Sequence, residues 1–217
     1  MTTVVLVHGW GYDSSIWDAV RAQLPPALPV VTLDFGYFIS AVPPVPTFPK
    51  PVIAVGHSLG ALWWLSQAAM PWQRLLCING FPRFCATDDY APAVAPRMLA
   101  RMRAQFELDP AGVLADFHAR CVALGSTAGP LAEPATARLL AGLDALAEWD
   151  GRSTLAGRHD DIYALAGTDD PIVPAAMSAV AFAALPPDHL SFIPATGHLL
   201  PVTAPTLCAE WIARLAA

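Results

Sequence analysis

Short apolar runs that alternate with longer helix-like stretches are the feature that most constrains the fold of this chain. Six runs rich in Val, Ile and Leu recur along the 217 residues, at 4–7, 30–33, 52–55, 75–78, 162–165 and 190–193. Continuous apolar runs of this length, separated by helical segments, are typical of a parallel sheet that helices cover on both faces. The sequence therefore predicts an α/β fold with about six strands in a mainly parallel sheet.

Helical composition fills most of the intervals between these runs. Candidate covering helices span residues 15–24, 59–69, 175–184 and 205–215. A longer segment between the fourth and fifth runs has no comparable strand-like run, and its candidate helices span residues 96–107, 110–124 and 134–149. Proline stands near several of these starts, as the first turn of a helix tolerates. We therefore expect residues 1–80 and 159–217 to form the core and residues 81–158 to form an inserted helical lid.

Composition and charge argue against a disordered chain, a membrane protein and a nucleic-acid-binding protein. Apolar residues make up 55% of the chain and charged residues 14%, which excludes a disordered chain. The apolar stretches are interrupted well short of the roughly 18 residues that span a bilayer, and no cationic leader precedes the first run, so we expect a cytoplasmic protein that binds no membrane. The net charge of −6 argues against nucleic acid as a partner. The four cysteines have no metal-ligand spacing, which predicts buried thiols and no metal.

The strongest local motif is Gly-His-Ser-Leu-Gly at residues 56–60, between an apolar run and a helical stretch. A G-x-S-x-G sequence in a strand-turn-helix context is typical of a nucleophile elbow, whose turn presents the serine hydroxyl at a helix N-terminus. The motif therefore predicts Ser58 as a nucleophile. Because a serine at its ordinary pKa is a poor nucleophile, a histidine base and an acid that orients it should follow.

Candidates for both groups follow strands further along the chain. Asp169 and Asp170 come after the run at 162–165, and His198 comes after the run at 190–193. The carboxyl ends of parallel strands are where open α/β sheets place their sites. The residues alone do not separate the two aspartates, since either could reach the imidazole while the other caps the following helix. We predict that Ser58, one of these aspartates and His198 form a catalytic triad that uses no cofactor.

Ester hydrolysis also requires hydrogen-bond donors for the oxyanion of the tetrahedral intermediate. The backbone N–H of Leu59, which follows the nucleophile, is one candidate. The other is the backbone N–H of Trp10, in the sequence His-Gly-Trp-Gly at residues 8–11, where the glycines permit a close approach of the backbone to a substrate. We expect the Trp10 side chain to line the acyl pocket.

With these motifs in place, the sequence resembles the α/β-hydrolases, and more narrowly the pimeloyl-[acyl-carrier protein] methyl ester esterases of biotin synthesis. The similar core segments are residues 6–11, 58–60, 170–174 and 197–198. The similar lid positions are Phe84 to Tyr90, Pro96, Leu99, Gln105, Phe117, Ala119, Gly142, Leu143 and Leu146. The resemblance favours Asp170 over Asp169 as the acid.

The resemblance also implies a function. It implies a serine carboxylesterase that hydrolyses the methyl ester of pimeloyl-[acyl-carrier protein] and frees the pimeloyl carboxylate. It implies that Phe117 contacts the substrate chain and that lid arginines contact the acyl-carrier protein, with Arg83, Arg97, Arg101 and Arg103 as the candidates here. We expect a monomer. Two alternatives stay open: a general carboxylesterase for short acyl esters, and a ligand-binding protein that keeps the fold without catalysis.

The sequence departs from that family at three places. The first run begins at residue 4, so we expect the antiparallel strands that usually open the fold to be reduced. Five prolines within residues 40–51 predict an extended connector where a helix is expected. Gly112 and Asp116 stand where two of the family's lid arginines would be sought. Carrier recognition is therefore expected to be weaker or differently built.

Overall fold

Six strands form one parallel sheet in the part of the chain that the computed structural model describes, which is residues 2–38, 48, 51–66, 71–91, 93–121 and 133–217. The strands are β1 (Thr3–Val7), β2 (Val30–Leu33), β3 (Val52–His57), β4 (Arg74–Ile78), β5 (Ile162–Gly167) and β6 (Leu190–Ile193). Their order across the sheet is β2-β1-β3-β4-β5-β6, and every neighbouring pair is parallel. Each strand coincides with a predicted apolar run to within two residues, so the predicted α/β fold is confirmed.

Both faces of the sheet are buried at its central strands, where successive side chains of a strand point to opposite faces. In β1, Val4 and Leu6 belong to one hydrophobic cluster, and Val5 and Val7 belong to another. All four side chains are essentially inaccessible to water. This two-sided burial explains why the strands appear in the sequence as continuous apolar runs and not as alternating ones.

Helices cover both faces. In chain order they are α1 (Asp18–Arg21), α2 (Leu59–Ser66), α3 (Pro96–Leu108), α4 (Pro110–Cys121), α5 (Thr136–Glu148), α6 (Arg152–Gly157), α7 (Ala175–Ala181), α8 (Leu200–Thr203) and α9 (Pro205–Ala216). Side chains of α9 join the cluster that contains Val4, whereas Trp64 of α2 and Phe182, just after α7, join the cluster that contains Val5.

The prediction of one helix over residues 15–24 was wrong. A 3-10 turn at Ser14–Trp17 leads into α1, which has four residues. The Asp13 side chain accepts a hydrogen bond from the backbone N–H of Ser15 and so fixes the start of the tight turn. At the other end, Pro25 disfavours a helical conformation of Leu24. The short helices α6 and α8 were not predicted.

The insert, which we define as residues 79–161 between β4 and β5, is helical as expected. It contains α3, α4, α5 and α6 among its described residues. Buried side chains of the first three, including Phe106, Phe117 and Leu139, belong to the same hydrophobic cluster as one face of the sheet. The insert therefore shares a core with the sheet. Its role as a lid, and its separation from the rest as a domain, stay predictions.

Some predicted features fall where nothing is described. The proline-rich connector lies outside the described residues apart from positions 48 and 51, and so do the predicted helix ends at 67–69 and 122–124.

All four cysteines are buried and carry free thiols. No helix in the described ranges is long and apolar enough to cross a membrane.

The start of α2 approaches the end of β1 without intervening side chains. A Cβ atom added to Gly60 would lie 2.3 Å from the carbonyl oxygen of Val7 and 2.7 Å from that of His8. Both neighbours are backbone atoms at the end of a central strand, so they cannot move aside without disturbing the sheet. Glycine at position 60 is therefore required for this contact between helix and strand.

We expect Gly60→Ala to lower the free energy of unfolding by about 1 to 3 kcal/mol, the usual cost of adding volume to a packed interior. Gly157→Ala is the matched control, because Gly157 is exposed and nothing lies within 4 Å of its added Cβ atom. The control should leave stability unchanged or slightly higher. Urea denaturation of the two variants and the parent measures both effects, and equal midpoints for all three would contradict the packing argument.

Candidate active site

Ser58 occupies a left-handed turn between β3 and α2. Its φ angle is +53°, a conformation that costs a residue with a side chain on the order of 1 kcal/mol. The backbone N–H of Ser58 donates a hydrogen bond of 3.0 Å to the carbonyl of Ile78, the last residue of the neighbouring strand β4. A Cβ atom added to Gly9 would lie 2.9 Å from the Ser58 Cβ. The turn therefore places the hydroxyl at the carboxyl edge of the sheet, next to the residues that follow β1.

Three predicted residues from separate loops meet at this edge. The His198 Nε2 atom lies 3.0 Å from the Ser58 Oγ atom, and the His198 Nδ1 atom lies 2.8 Å from an oxygen of the Asp170 carboxylate. All three are buried, with 6% of Ser58, 4% of Asp170 and none of His198 exposed. The arrangement forms a continuous series of hydrogen bonds from hydroxyl to imidazole to carboxylate.

The two candidate acids occupy different environments. Asp170 Oδ1 accepts hydrogen bonds from the backbone N–H groups of Ile172 (2.8 Å) and Val173 (2.9 Å), which leaves Oδ2 facing His198. Burial raises the pKa of Asp170, but the nearby His198 and the donated hydrogen bonds outweigh it, so the pKa lies below its ordinary value. Asp169 is exposed and accepts from the hydroxyl of Thr168. The structure thus brings Asp170, and not Asp169, to the imidazole.

Asn79 completes the hydrogen bonds of the acid and was missed in the sequence. Its side-chain Nδ2 donates to Asp170 Oδ2 at 2.9 Å and to the carbonyl of Gly197 at 3.2 Å. Asn79 is 1% exposed and has a left-handed backbone with φ +46°. One signal could have identified it: Asn79 is a polar residue directly after the apolar run of β4, at the same edge of the sheet as Ser58.

The two predicted oxyanion donors flank the serine. Leu59 is the first residue of α2, and its backbone N–H is one of the N-terminal helix donors that lack a partner within the helix. Trp10 lies in the turn after β1, one residue beyond the close contact of Gly9 with Ser58. The Trp10 indole Nε1 donates to the carbonyl of Leu139 at 2.8 Å, which holds the ring against the insert.

The insert packs directly on this turn. The Phe117 ring meets the Trp10 ring edge to face, with centroids 4.9 Å apart, and Phe106 lies 5.8 Å from the same indole. A Cβ atom added to Gly142 would lie 2.7 Å from the Trp10 Cδ1. His118 Nε2 lies 2.6 Å from the carbonyl oxygen of Gly11. Trp10 and Phe117, both predicted to meet the substrate chain, are therefore brought together.

The four predicted carrier-contact arginines are not equivalent. Arg83 pairs with Asp150 at 2.9 Å. Arg103 pairs with Asp144 at 2.6 Å, and also with Glu107 at 2.7 Å. These two cations are neutralised within the insert.

Arg97 and Arg101 are exposed one turn apart on α3. Neither has an ion-pair partner among the described residues. Two of the four arginines, Arg83 and Arg103, therefore form ion pairs within the insert, and the other two, Arg97 and Arg101, face solvent.

His57, next to the serine, is fully buried and forms no ion pair with a carboxylate among the described residues. Its Nε2 lies 2.7 Å from the backbone carbonyl of His198, so the proton is on Nε2 and His57 is the donor. Burial, reinforced by the nearby His198, lowers the pKa of His57 from 6.5 to about 3. His57 is therefore neutral at physiological pH.

This burial predicts a loss of stability in acid. The pKa of His57 is about 3 in the folded chain and 6.5 in the unfolded chain. Between these two pH values the unfolded chain therefore binds a proton at His57 that the folded chain does not bind. Stability contributed by the neutral ring is then lost as the pH falls from 6.5 toward 3, by about 3 kcal/mol at pH 4.5. We expect His57→Gln to reduce this pH dependence.

Urea unfolding at pH 7 and at pH 4.5 measures the slope for each variant. His159→Gln is the control, since 44% of the His159 side chain is exposed, against none of His57, and most of the slope of the parent should remain in this variant. If the free energy of unfolding fell by the same amount in His57→Gln and in the parent between the two pH values, another group would be responsible for the proton uptake.

Comparison with known proteins places the chain in a family. A model of the alpha/beta hydrolase family matches residues 4–211. The pimeloyl-[acyl-carrier protein] methyl ester esterase of Aromatoleum aromaticum is 29% identical, with 96% of each chain covered. The biotin biosynthesis bifunctional protein BioHC of Cellvibrio japonicus is 32% identical over 52% of this chain, which spans 26% of that protein's length.

Solved structures show the same fold at low sequence identity. An esterase from Exiguobacterium antarcticum superposes with a TM-score of 0.81 at 14% identity, with coverage of 100% of this chain and 92% of that one. A bromoperoxidase from Bacillus anthracis has the same TM-score of 0.81 at 17% identity, with coverage of 99% and 91%. The extent of the family match and the shared fold agree, and the chain belongs to the alpha/beta hydrolase family.

Proposed function

We propose that this chain is a serine carboxylesterase and that it hydrolyses the methyl ester of pimeloyl-[acyl-carrier protein] to free the pimeloyl carboxylate. The chemistry rests on one observation, the series of hydrogen bonds that joins Ser58, His198 and Asp170. The substrate rests on the similarity, across 96% of both chains, to a relative named for that activity.

In the first half of the reaction, Ser58 acts as nucleophile and His198 as general base. His198 Nε2 takes the hydroxyl proton while Ser58 Oγ attacks the ester carbonyl. Asp170 holds the imidazole with its Nδ1 proton toward the carboxylate and stabilises the imidazolium that forms. The imidazolium then gives its proton to the departing oxygen, so that methanol leaves and an acyl-serine remains.

The second half reverses these roles with water as nucleophile. His198 takes a proton from water, the hydroxide attacks the acyl-serine, and the proton returns to Ser58 Oγ as the carboxylic acid is released. The acid then ionises and gives its proton to the solvent. In both halves the oxyanion accepts hydrogen bonds from the backbone N–H groups of Trp10 and Leu59. One such donor is typically worth about 3 kcal/mol of transition-state stabilisation.

The aromatic wall of the insert provides the acyl site in this proposal. Phe117 and Phe106 lie against the Trp10 ring, directly beside the turn that holds the oxyanion donor. An apolar wall of this kind suits the methylene chain of a pimeloyl group, because burial of each methylene contributes about 0.8 kcal/mol. The carboxyl ester at the end of the chain then reaches Ser58.

Arg97 and Arg101 are the residues that we assign to the acyl-carrier protein. They are exposed on α3 and have no acidic partner among the described residues, whereas Arg83 and Arg103 are held by Asp150 and Asp144. Two cations at a surface of a chain with net charge −6 would steer an acidic carrier toward the insert.

We expect Ser58→Ala to lower kcat for hydrolysis of methyl pimeloyl-carrier protein by about 1,000-fold or more, since the nucleophile is removed. Ser66→Ala is the matched control at the far end of α2, because the Ser66 hydroxyl donates to the carbonyl of Leu62 and lies outside the triad. Retained turnover by Ser58→Ala would overturn the mechanism.

A second ester distinguishes the alternatives. Activity on p-nitrophenyl butyrate but not on the carrier-bound ester would reduce the function to that of a general carboxylesterase. Absence of turnover of both esters, together with no labelling of Ser58 by a fluorophosphonate, would indicate a ligand-binding protein.

We expect the double variant Arg97→Glu and Arg101→Glu to lower kcat/KM for the carrier-bound ester by about 10-fold or more at low salt, and to leave p-nitrophenyl butyrate hydrolysis unchanged. The control carries Arg21→Glu and Arg214→Glu, on α1 and α9, which change the formal charge by the same amount outside the insert. Equal losses in the two double variants would mean that net charge matters and the α3 surface does not.

A further inference from the structure

Asn79 connects the loops that carry the acid and the base. It follows β4 directly, whereas Asp170 follows β5 and Gly197 precedes His198 in the loop after β6. One side-chain nitrogen donates both to Asp170 Oδ2 and to the Gly197 carbonyl, at 2.9 Å and 3.2 Å. A single amide thus spans three adjacent strand ends.

The chemistry of its neighbours fixes the orientation of this amide. A carboxylate and a backbone carbonyl only accept hydrogen bonds, so the NH₂ group of Asn79 must face both of them. Its Oδ1 atom is then left buried with no hydrogen-bond partner in the described residues. A buried acceptor without a partner costs free energy, so this orientation is retained at the expense of stability.

The backbone of Asn79 is constrained as well. Its φ angle of +46° lies in the left-handed region, which asparagine tolerates better than most residues with a side chain. The Asn79 backbone N–H donates to the carbonyl of Leu165 in β5 at 2.8 Å. Backbone and side chain are therefore both held, and the amide has little freedom to turn away from Asp170.

We infer that Asn79 is a positioning residue for the Asp170 and His198 pair, and this inference rests on the proposed function. Asp170 Oδ1 is held by two backbone N–H groups, and Asn79 provides the second donor to Oδ2, beside His198. The carboxylate is thereby fixed against rotation, with one oxygen aimed at the imidazole. The bond to Gly197 fixes the peptide that leads into the base.

A double-mutant cycle tests the inference. Asn79→Gly removes the amide and keeps the left-handed backbone accessible, and Asp170→Asn removes the charge that the amide orients. We expect Asn79→Gly alone to lower kcat for p-nitrophenyl butyrate by about 10- to 100-fold with KM unchanged. In the Asp170→Asn background the same change should cost less than about 3-fold, because no carboxylate remains to be positioned.

Ser178→Ala provides the control for loss of a buried polar side chain. Ser178 is 1% exposed on α7, its hydroxyl has no partner among the described residues, and it lies outside the site, so kcat should not change. Urea unfolding of each variant separates activity from folding. If Asn79→Gly does not fold, Asn79→Ser, whose hydroxyl is too short to reach both acceptors, is carried through the same cycle.

The outcomes separate this inference from the proposed function. Equal losses from Asn79→Gly in both backgrounds, or a change confined to KM, would overturn positioning by Asn79 while the triad stands. If Ser58→Ala and Asp170→Asn kept full turnover, the proposed function itself would fail. If the parent had no turnover, the rate of Ser58 labelling by a fluorophosphonate would replace kcat in the cycle, and an additive cycle there would again overturn the inference.

Discussion

The hydrogen bond from the Ser58 backbone N–H to the carbonyl of Ile78 ties the serine turn to the neighbouring strand, and the rest of the site depends on it. The turn has a left-handed backbone that would relax without such restraint. Gly9 and Gly60 let the turn pack closely against the end of β1. Any larger side chain at either position would collide with Ser58 or with the backbone at the end of β1. The sheet, more than the loop itself, therefore determines where the hydroxyl points.

The same sheet explains how residues that are far apart in sequence meet. His198 is 140 residues from Ser58 and 28 from Asp170. All strands are parallel, so the residues that follow β3, β4, β5 and β6 emerge at one edge. Asn79, after β4, lies between the serine strand and the strand that carries the acid. Strand order alone places its amide beside the carboxylate that it contacts.

The sequence predicted the parts of the molecule that depend on local pattern. The six strands follow from continuous apolar runs, and Ser58 follows from a motif whose glycines are needed for the turn itself. Asp169 and Asp170 could not be separated from the residues alone, because the choice depends on which carboxylate receives the N–H groups of Ile172 and Val173. That is a property of the folded loop.

Other features of the structure were not predicted. Arg83 and Arg103 are paired with Asp150 and Asp144, which lie 67 and 41 residues away, and spacing along the chain could have indicated only the further pair of Arg103 with Glu107. Asn79 has no motif, since its role comes from two acceptors on other loops. The helix predicted over residues 15–24 has the right composition, but the tight turn at its start and Pro25 after its end leave room for four helical residues.

The two buried histidines next to the serine differ in the group that their ring nitrogens contact. The rings of His57 and His198 lie 5.0 Å apart, and both are inaccessible to water. His57 donates to a neutral carbonyl, and neither this bond nor the more distant charge of Asp170 outweighs the cost of charging a buried ring, so its pKa falls to about 3. His198 instead contacts the ionised Asp170, whose charge stabilises an imidazolium at Nδ1. In the proposed reaction His198 is therefore the ring that takes the serine proton, and His57, by donating to the His198 carbonyl, helps to keep it in place.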